Sequence, residues 1–345
     1  MAYPKHITDV HIELTDKCQA SCPMCARNHN GGMERSFVGK RDIALETFKH
    51  WFPESWLAQL ENFFACGNYG DPIIARDCLE IFEYVRHANP TARLAIHTNG
   101  SARSVQWWER LAKVLAGPHE VVFAVDGYAE SHVLYRKGTN WNSIMENAQA
   151  FMEAGGIASI DCLVFEHNQH EMEAFREDML KRGFKKVNIK PTSRFYDMAE
   201  FPVHDTSGNV QYTLKPATDF KPVKIIKLEE IIRDKSIWDN QRANATITPK
   251  CVERKELYID AAGNLFPCCY VGADCVEKPL ESILPMHVLR NELIADTQSR
   301  FYKLGIPNLD HHTIEEVMET PLWNGIEENW TGDNKAWACV KACGS

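Results

Sequence analysis

The sequence predicts an α/β protein: a partial (β/α)6 barrel over residues 1–200, a linker and bridging helix over 201–245, and a smaller hairpin-plus-helix domain over 246–345. Three observations carry this. Short apolar runs alternate with amphipathic helical runs six times between residues 10 and 190, the pattern of a parallel sheet with helices outside it. Some of these runs, Glu120 to Val125 above all, are apolar on both faces, as doubly buried strands are. The rhythm then stops over 193–223, where Pro202, Gly208, Pro216 and Pro222 accumulate before a second cysteine-bearing region. Six units are too few to close an eightfold barrel, so the sheet is expected to stay open and curved.

In chain order, Val10-His11-Ile12-Glu13-Leu14 is the first strand. Arg27 to Lys40 is polar and reads as a loop, and Ile43 to Phe52 as a helix. Asn62 to Cys66 is a strand, and Asp77 to Ala88 a helix with Leu79, Phe82 and Val85 on one face. Arg93 to His97, Glu120 to Val125, Ser159 to Phe165 and Lys186 to Lys190 are the remaining barrel strands. The helices between them are Ser104 to Leu115, Asn142 to Ala154 and Glu171 to Arg182. A helix is expected at 224–234. Glu256 to Asp260 and Leu265 to Pro267 flank Ala261-Ala262-Gly263-Asn264, a hairpin signal that brings Cys251 and Cys268 together. Helices are expected near 280–295 and 313–319. Trp323, Trp330 and Trp337 recur at sevens, but Pro321, Gly325 and Gly332 argue against one helical face.

At 44% hydrophobic, 345 residues can bury a sizeable core. A net charge of −9 is not the basic footprint of a nucleic-acid binder. The N-terminus is too polar for a signal peptide, and no apolar run approaches the ~18 residues of a membrane span, so a cytoplasmic protein with no membrane partner is expected. In such a compartment cysteines point to metal or catalysis rather than disulfides. Nine of the twelve are clustered: Cys18, Cys22 and Cys25; Cys251, Cys268, Cys269 and Cys275; Cys339 and Cys343. Cys66, Cys78 and Cys162 stand alone and read as small buried apolar residues.

Cys18, Cys22 and Cys25 are spaced C-x3-C-x2-C on one loop after the first strand. Three thiolates can converge on one centre and leave a position open, whereas structural zinc and iron–sulfur sites normally close with four ligands. A zinc knuckle completed by a distant residue is the alternative. In parallel βα folds the active site lies at the C-terminal strand ends, and the triad is there. So are Gly70 and Asp71, Thr98 and Asn99, Asp126, and the group Lys190, Thr192, Ser193 and Arg194. Each is an ordinary turn residue alone; together they ring one mouth. Lys190 and Arg194 are candidates to hold a carboxylate or phosphate. Asp310-His311-His312 reads as surface. Neither a P-loop nor G-x-G-x-x-G occurs, so no nucleoside triphosphate or nicotinamide is indicated.

A C-x3-C-x2-C triad after strand one of a partial barrel resembles the radical S-adenosylmethionine (SAM) enzymes, and the resemblance covers residues 5–192. It implies a [4Fe–4S] cluster on Cys18, Cys22 and Cys25 whose open iron chelates SAM. Gly70-Asp71-Pro72 resembles the family's Gly-Glu-Pro element, which binds the SAM amino group. Thr98-Asn99-Gly100 resembles its strand-three ending near the cofactor, and Ser193 is taken with the same set. Asp126-Gly127 resembles a Ser-x-Asp-Gly ending, with Ala124 where Ser is usual. Arg136 matches a basic residue that contacts the SAM carboxylate or ribose, and Met24 stands where an aromatic packing on adenine is frequent. Cys251, Gly263 and Cys268 fit the C-x(9–15)-G-x4-C opening of SPASM and twitch auxiliary-cluster domains. With Cys339 and Cys343 they would hold one auxiliary [4Fe–4S] cluster. The terminal pair is C-x3-C rather than the usual C-x2-C, and Cys275 rivals for a place. Cys269, read as a strand neighbour of Cys268, would face away from it.

The resemblance implies reductive SAM cleavage to a 5′-deoxyadenosyl radical that abstracts a substrate hydrogen, with the auxiliary cluster accepting an electron in a net oxidation. The substrate would be a small metabolite or a peptide, and the electrons would come from an external flavodoxin- or ferredoxin-like donor. A barrel beginning by residue 10 leaves no room for an N-terminal leader-recognition domain, which favours a small substrate or a separate recognition protein. The alternatives are a redox-neutral epimerase with Cys269 or Cys275 as hydrogen donor, and a non-enzymatic iron–sulfur or zinc protein.

Overall fold

The computed structural model describes residues 2–195, 198–220, 228–279, 285–303 and 305–345. The strands are β1 (Asp9–Ile12), β2 (Asn62–Ala65), β3 (Arg93–Thr98), β4 (Glu120–Ala124), β5 (Ile157–Val164), β6 (Val187–Pro191), β7 (Phe201–His204), β8 (Val210–Leu214), β9 (Glu256–Ile259) and β10 (Leu265–Phe266). The chain forms two compact units: a central one of Glu13–Leu45 and Phe64–Ile226, and a terminal one of Met1–Ile12, Glu46–Phe63 and Lys227–Ser345.

In the central unit β3, β4, β5 and β6 form a parallel ladder, with Ile96 opposite Val121, Phe123 opposite Ile160 and Cys162 opposite Ile189. Leu94, Ile96, Val121, Phe123, Ile160 and Cys162 share one face of this ladder and are buried, whereas His97, Val122, Asp161 and Leu163 on the other face are only half-buried, so the strands alternate rather than being buried on both faces as expected. Helices Val105–Val114 and Trp141–Glu153 supply one covering layer. Trp108 lies 5.2 Å and Phe151 6.5 Å from the ring of Phe123. Ser104 and Asn140 cap these helices through their side chains, which fixes where each begins. The barrel elements expected from periodicity are found within about two residues of their predicted ends.

The stretch 193–223 is not a plain linker. β7 and β8 pair antiparallel from Phe201 opposite Leu214 to His204 opposite Val210. Their turn is built by Asp205, whose Oδ1 accepts from Ser207 N at 2.8 Å and Asn209 N at 2.9 Å, with Gly208 at φ +86°. Its apolar side, Val203 and Leu214, joins Tyr135, Phe165 and Phe195 in one buried cluster. The short helix Ala129–Tyr135 was also not anticipated; seven residues between two glycine turns give too short a period to read.

In the terminal unit β1 pairs parallel with β9, Asp9 opposite Glu256 through Ile12 opposite Ile259, and β9 pairs antiparallel with β10. The expected hairpin is thus present. Asp260 Oδ1 accepts from Ala262 N and Asn264 N, and Gly263 sits at φ +81° with Trp51 where a Cβ would go. Helix Cys269–Val276 packs so closely that a Cβ on Gly272 would lie 2.4 Å from the Tyr258 ring. The helix expected at 224–234 is Leu228–Arg233 and that at 280–295 is Pro285–Tyr302, while 221–227 and 280–284 lie outside the described residues. Helices Ser236–Asn244 and Trp337–Cys343 were not anticipated. Trp323 and Trp337 belong to separate helices, so the sevenfold spacing marks no shared face. Among the described residues no helix is long and apolar enough to cross a membrane.

His132 gives this fold a pH dependence. It is fully buried; its Nδ1 accepts from Asp126 N at 3.1 Å, so the proton is on Nε2, which donates to Thr139 Oγ1 at 3.0 Å. Burial lowers its pKa from 6.5 to about 4. The unfolded chain therefore takes up a proton that the folded chain refuses, and stability present above pH ~6.5 drains away as the pH falls to ~4, by roughly 3 kcal/mol. Urea unfolding at steps between pH 7 and 4 should show that loss, and His132→Gln should flatten its slope; an unchanged slope would show that this ring does not carry it.

Candidate functional site

The cysteine loop is held from several sides within the central unit. Cys25 N bonds Cys22 O and Asn28 N bonds Cys25 O, each at 3.0 Å, so the loop closes in two tight turns. Ser21 N donates to Lys137 O at 2.8 Å, and Gly138, at φ +82°, leaves no room for a side chain: a Cβ would stand 2.8 Å from Gln19 O. Lys137 Nζ donates to Gly31 O and His204 O at 2.9 and 2.8 Å, tying the β7–β8 hairpin to the loop after the triad. Buried Arg27 donates to Tyr69 O at 2.9 Å and to Asp16 O, and pairs with Glu34.

Two carboxylates organise the strand ends. Asp71 is 5% exposed and accepts from Thr98 Oγ1 (2.7 Å), Asn99 N (2.7 Å) and Asn99 Nδ2 (2.6 Å). Burial raises its pKa and these donors oppose the rise. Asp126 is fully buried, with Oδ2 on Arg136 Nε at 2.6 Å and Oδ1 on Leu163 N at 2.6 Å. Its backbone is fixed by His132 and by Asn168 Nδ2, which reaches Asp126 O at 3.2 Å. Glu13, Gln19, His132 and Asn168 were missed by sequence reasoning. Glu13 is 1% exposed and its Oε1 accepts from Tyr69 N (2.6 Å) and Gly70 N (2.7 Å), so the Gly70-Asp71 turn wraps around it. A glutamate between the apolar residues Ile12 and Leu14 was the available signal.

The three thiols differ. Burial raises the Cys18 pKa, as does the nearby Asp71 charge, and Ala20 N donates to its Sγ at 3.4 Å. Cys22 is pushed up to about 11 by burial, with Arg136 beside it working against the rise. Cys25 is partly buried on the same loop. Met24 is half-buried and, with Cys22, packs against the cluster of Tyr135, Phe165 and Phe195. Thr98 is buried, whereas Ser193 is exposed. Lys190 is not open for an anion: it pairs with Asp161 at 2.6 Å, because alternate residues of β6 and β5 point the same way. Arg194 donates to Met24 O at 3.2 Å and Tyr135 Oη at 3.4 Å.

In the terminal unit Cys251 lies in helix Lys250–Glu253, Cys268 caps helix Cys269–Val276, and Cys339 and Cys343 share helix Trp337–Cys343. The chain end pairs back, Thr248 N on Cys343 O at 3.2 Å, which sets Cys343 near Cys251. Cys251 is pushed up to about 12 by burial and then by Cys343; burial followed by Cys251 and Cys343 raises Cys339. Cys268 is raised by burial and by Cys269, Cys251 and Cys339. Cys251 is thus within electrostatic reach of Cys268, Cys339 and Cys343, while the cysteine that acts most on Cys268 is its neighbour Cys269. Cys275 stands apart, 1% exposed and facing Asp274 and Asp260. Cys269 opens a helix rather than continuing a strand, so the expected alternation away from Cys268 does not apply. Asp310, His311 and His312 are exposed and line a cleft of about 450 Å³ with His50, Trp51 and Trp56.

No three His, Cys, Asp or Glu side chains among the described residues are arranged around a single metal ion. A cluster gives each thiolate its own iron and so asks for wider spacing than a single tetrahedral ion. In donor chemistry the two thiol sets suit such a group: each is made of cysteines alone, and burial leaves the thiolate forms of Cys18, Cys251 and Cys339 short of the positive charge that iron would bring.

An α/β protein with a three-thiolate loop at its strand ends is the class this site defines. Residues 12–179 match the model of the radical SAM superfamily. The chain is similar to a GTP 3′,8-cyclase of Saccharophagus degradans, 24% identical over 221 residues, spanning 61% of this chain and 60% of that relative's length. Its fold is similar to Streptococcus suis SuiB bound to S-adenosylmethionine (TM-score 0.56, 11% identity, 94% of this chain and 68% of that one). It is also similar to His6-tagged anSMEcpe with bound AdoMet (TM-score 0.52, 15% identity, 93% and 79%).

The turn around Glu13 depends on Gly70, where a Cβ would stand 1.7 Å from Thr15 O. Gly70→Ala should cost about 3 kcal/mol or more, since backbone rather than a flexible side chain must move. Denaturant unfolding checks this, and a loss under ~1 kcal/mol would mean that the turn is not constrained as described.

Proposed function

We propose that this chain is a radical SAM enzyme with an auxiliary iron–sulfur cluster, modifying a C–H bond of a small metabolite or peptide. The observation that carries the reading is the thiol loop of Cys18, Cys22 and Cys25 packed among Asp71–Asn99 and Asp126–Arg136. A [4Fe–4S] cluster on that loop supplies one-electron reduction of bound SAM and, through it, hydrogen abstraction from an unactivated C–H bond.

The chain's own residues prepare that chemistry. Asp71 and Asp126 fix the strand ends, leaving Arg136 beside Cys22. Met24 and the Tyr135–Phe165–Phe195 cluster keep water from one side of the loop, as a radical site requires. Cys251, Cys268, Cys339 and Cys343 would hold the auxiliary cluster in this reading, and such a cluster would supply an electron acceptor for a net oxidation. Electrons enter from an external flavodoxin- or ferredoxin-like donor. The curated relative's name adds a purine nucleotide to the candidate substrates. The redox-neutral alternative needs a thiol open to substrate. Cys275, at 1% exposure, does not favour it, and Cys269 is the better candidate.

Anaerobic reconstitution should load about eight irons and eight sulfides per chain, falling to about four when Cys251, Cys268, Cys339 and Cys343 are all changed to Ala. Zinc without iron would overturn the reading. With substrate found by deuterium transfer into 5′-deoxyadenosine, Cys269→Ala and Cys275→Ala should both keep turnover; loss of turnover with SAM cleavage intact would establish the hydrogen-donor mechanism instead.

A further inference from the structure

The side-chain amide of Asn99 cannot turn over. Its Nδ2 lies 2.6 Å from Asp71 Oδ2, while its Oδ1 accepts from Gln19 Nε2 at 2.6 Å and Ser101 N at 3.0 Å. Half a turn would set the amide oxygen against a carboxylate and its NH2 against two N–H donors. Asp71 is itself held by Thr98 Oγ1 and Asn99 N, and Thr98 Oγ1 in turn accepts from Gly100 N at 3.0 Å. Asp71 and Asn99 are each 5% exposed, so water does not compete. One N–H of the amide is spent on Asp71. The other is directed to Cys18 Sγ at 3.7 Å, shared with Gln19 Oε1 at 3.4 Å.

We infer that Asn99 is an amide donor to the Cys18 thiolate, oriented by Asp71 and Gln19, and that this contact sets how readily a centre held by that thiolate accepts an electron. The inference rests on the reading that Cys18, Cys22 and Cys25 hold a cluster. An N–H directed at a ligand sulfur stabilises the extra negative charge of the reduced state and draws the potential upward. A buried carboxylate does the opposite, and the Asn99 amide stands between Asp71 and the sulfur. Asp71 is then a positioning residue, acting on the thiolate through Asn99, with its oxygens already occupied by protein donors.

The test is an anaerobic potentiometric titration of reconstituted protein with dithionite, without SAM, followed by electron paramagnetic resonance of the one-electron-reduced cluster. The signal of the triad is the one lost in Cys22→Ala. Asn99→Leu should shift its midpoint to more negative potential at unchanged iron content. Gln19→Leu, at an exposed side chain, should shift it less and in the same direction. A midpoint in Asn99→Leu that coincides with wild type, or lies above it, overturns the inference and leaves the proposed function standing. If Asn99→Leu does not fold, an unshifted Gln19→Leu overturns it equally. Wild-type protein that holds no iron overturns both.

Discussion

The fully buried carboxylate of Asp126 is the interaction on which the rest of the central unit depends. It sits at the end of β4, accepts from the backbone of β5 through Leu163 N, and takes the guanidinium of Arg136 from the turn after helix Ala129–Tyr135. Taking a carboxylate out of water costs several kcal/mol, and only complete pairing offsets it. The turn at 135–138 therefore has one place to be. From it Lys137 holds the triad loop through Ser21 N, Gly31 O and His204 O, and Gly138 lets the two backbones meet. One buried charge thus sets the position of three thiols that it does not touch.

The second buried carboxylate works in the same way on the other side of the loop. Asp71 orients Asn99, and Asn99 meets Cys18. Both acids were read from sequence as direct contacts of a cofactor. The structure gives Asp71 the donors Ile73 N, Thr98 Oγ1, Asn99 N and Asn99 Nδ2, and Asp126 the donors Arg136 Nε and Leu163 N, so both build the wall around the thiols. Arg136 keeps a role on both accounts, since its guanidinium stands beside Cys22 as well as on Asp126.

Much of this was legible in the sequence. Apolar runs and capped helices follow from local periodicity, so β2 to β6 and their helices fell where expected, and cysteine spacing marked both thiol groups. What was not legible depends on distant partners or on short elements. The pairing of β1 with β9 joins strands at opposite ends of the chain and leaves no local pattern. The β7–β8 hairpin was hidden by prolines, although Asp205-Thr206-Ser207-Gly208-Asn209 is a turn signal and Val210 to Leu214 alternates. Helix Cys269–Val276 overrode the strand reading of Cys269, because Cys268 caps a helix. Lys190 looked free until β5 placed Asp161 beside it.

On the proposed function the triad is a reducing centre for SAM, braced by the two buried carboxylates. The most direct measurement is anaerobic incubation of iron-loaded protein with SAM and dithionite, following 5′-deoxyadenosine and methionine. Both should be released by the wild-type chain and by the variant in which Cys251, Cys268, Cys339 and Cys343 are changed to Ala, and neither by Cys22→Ala. Iron-loaded wild-type protein that leaves SAM intact would contradict the proposed function.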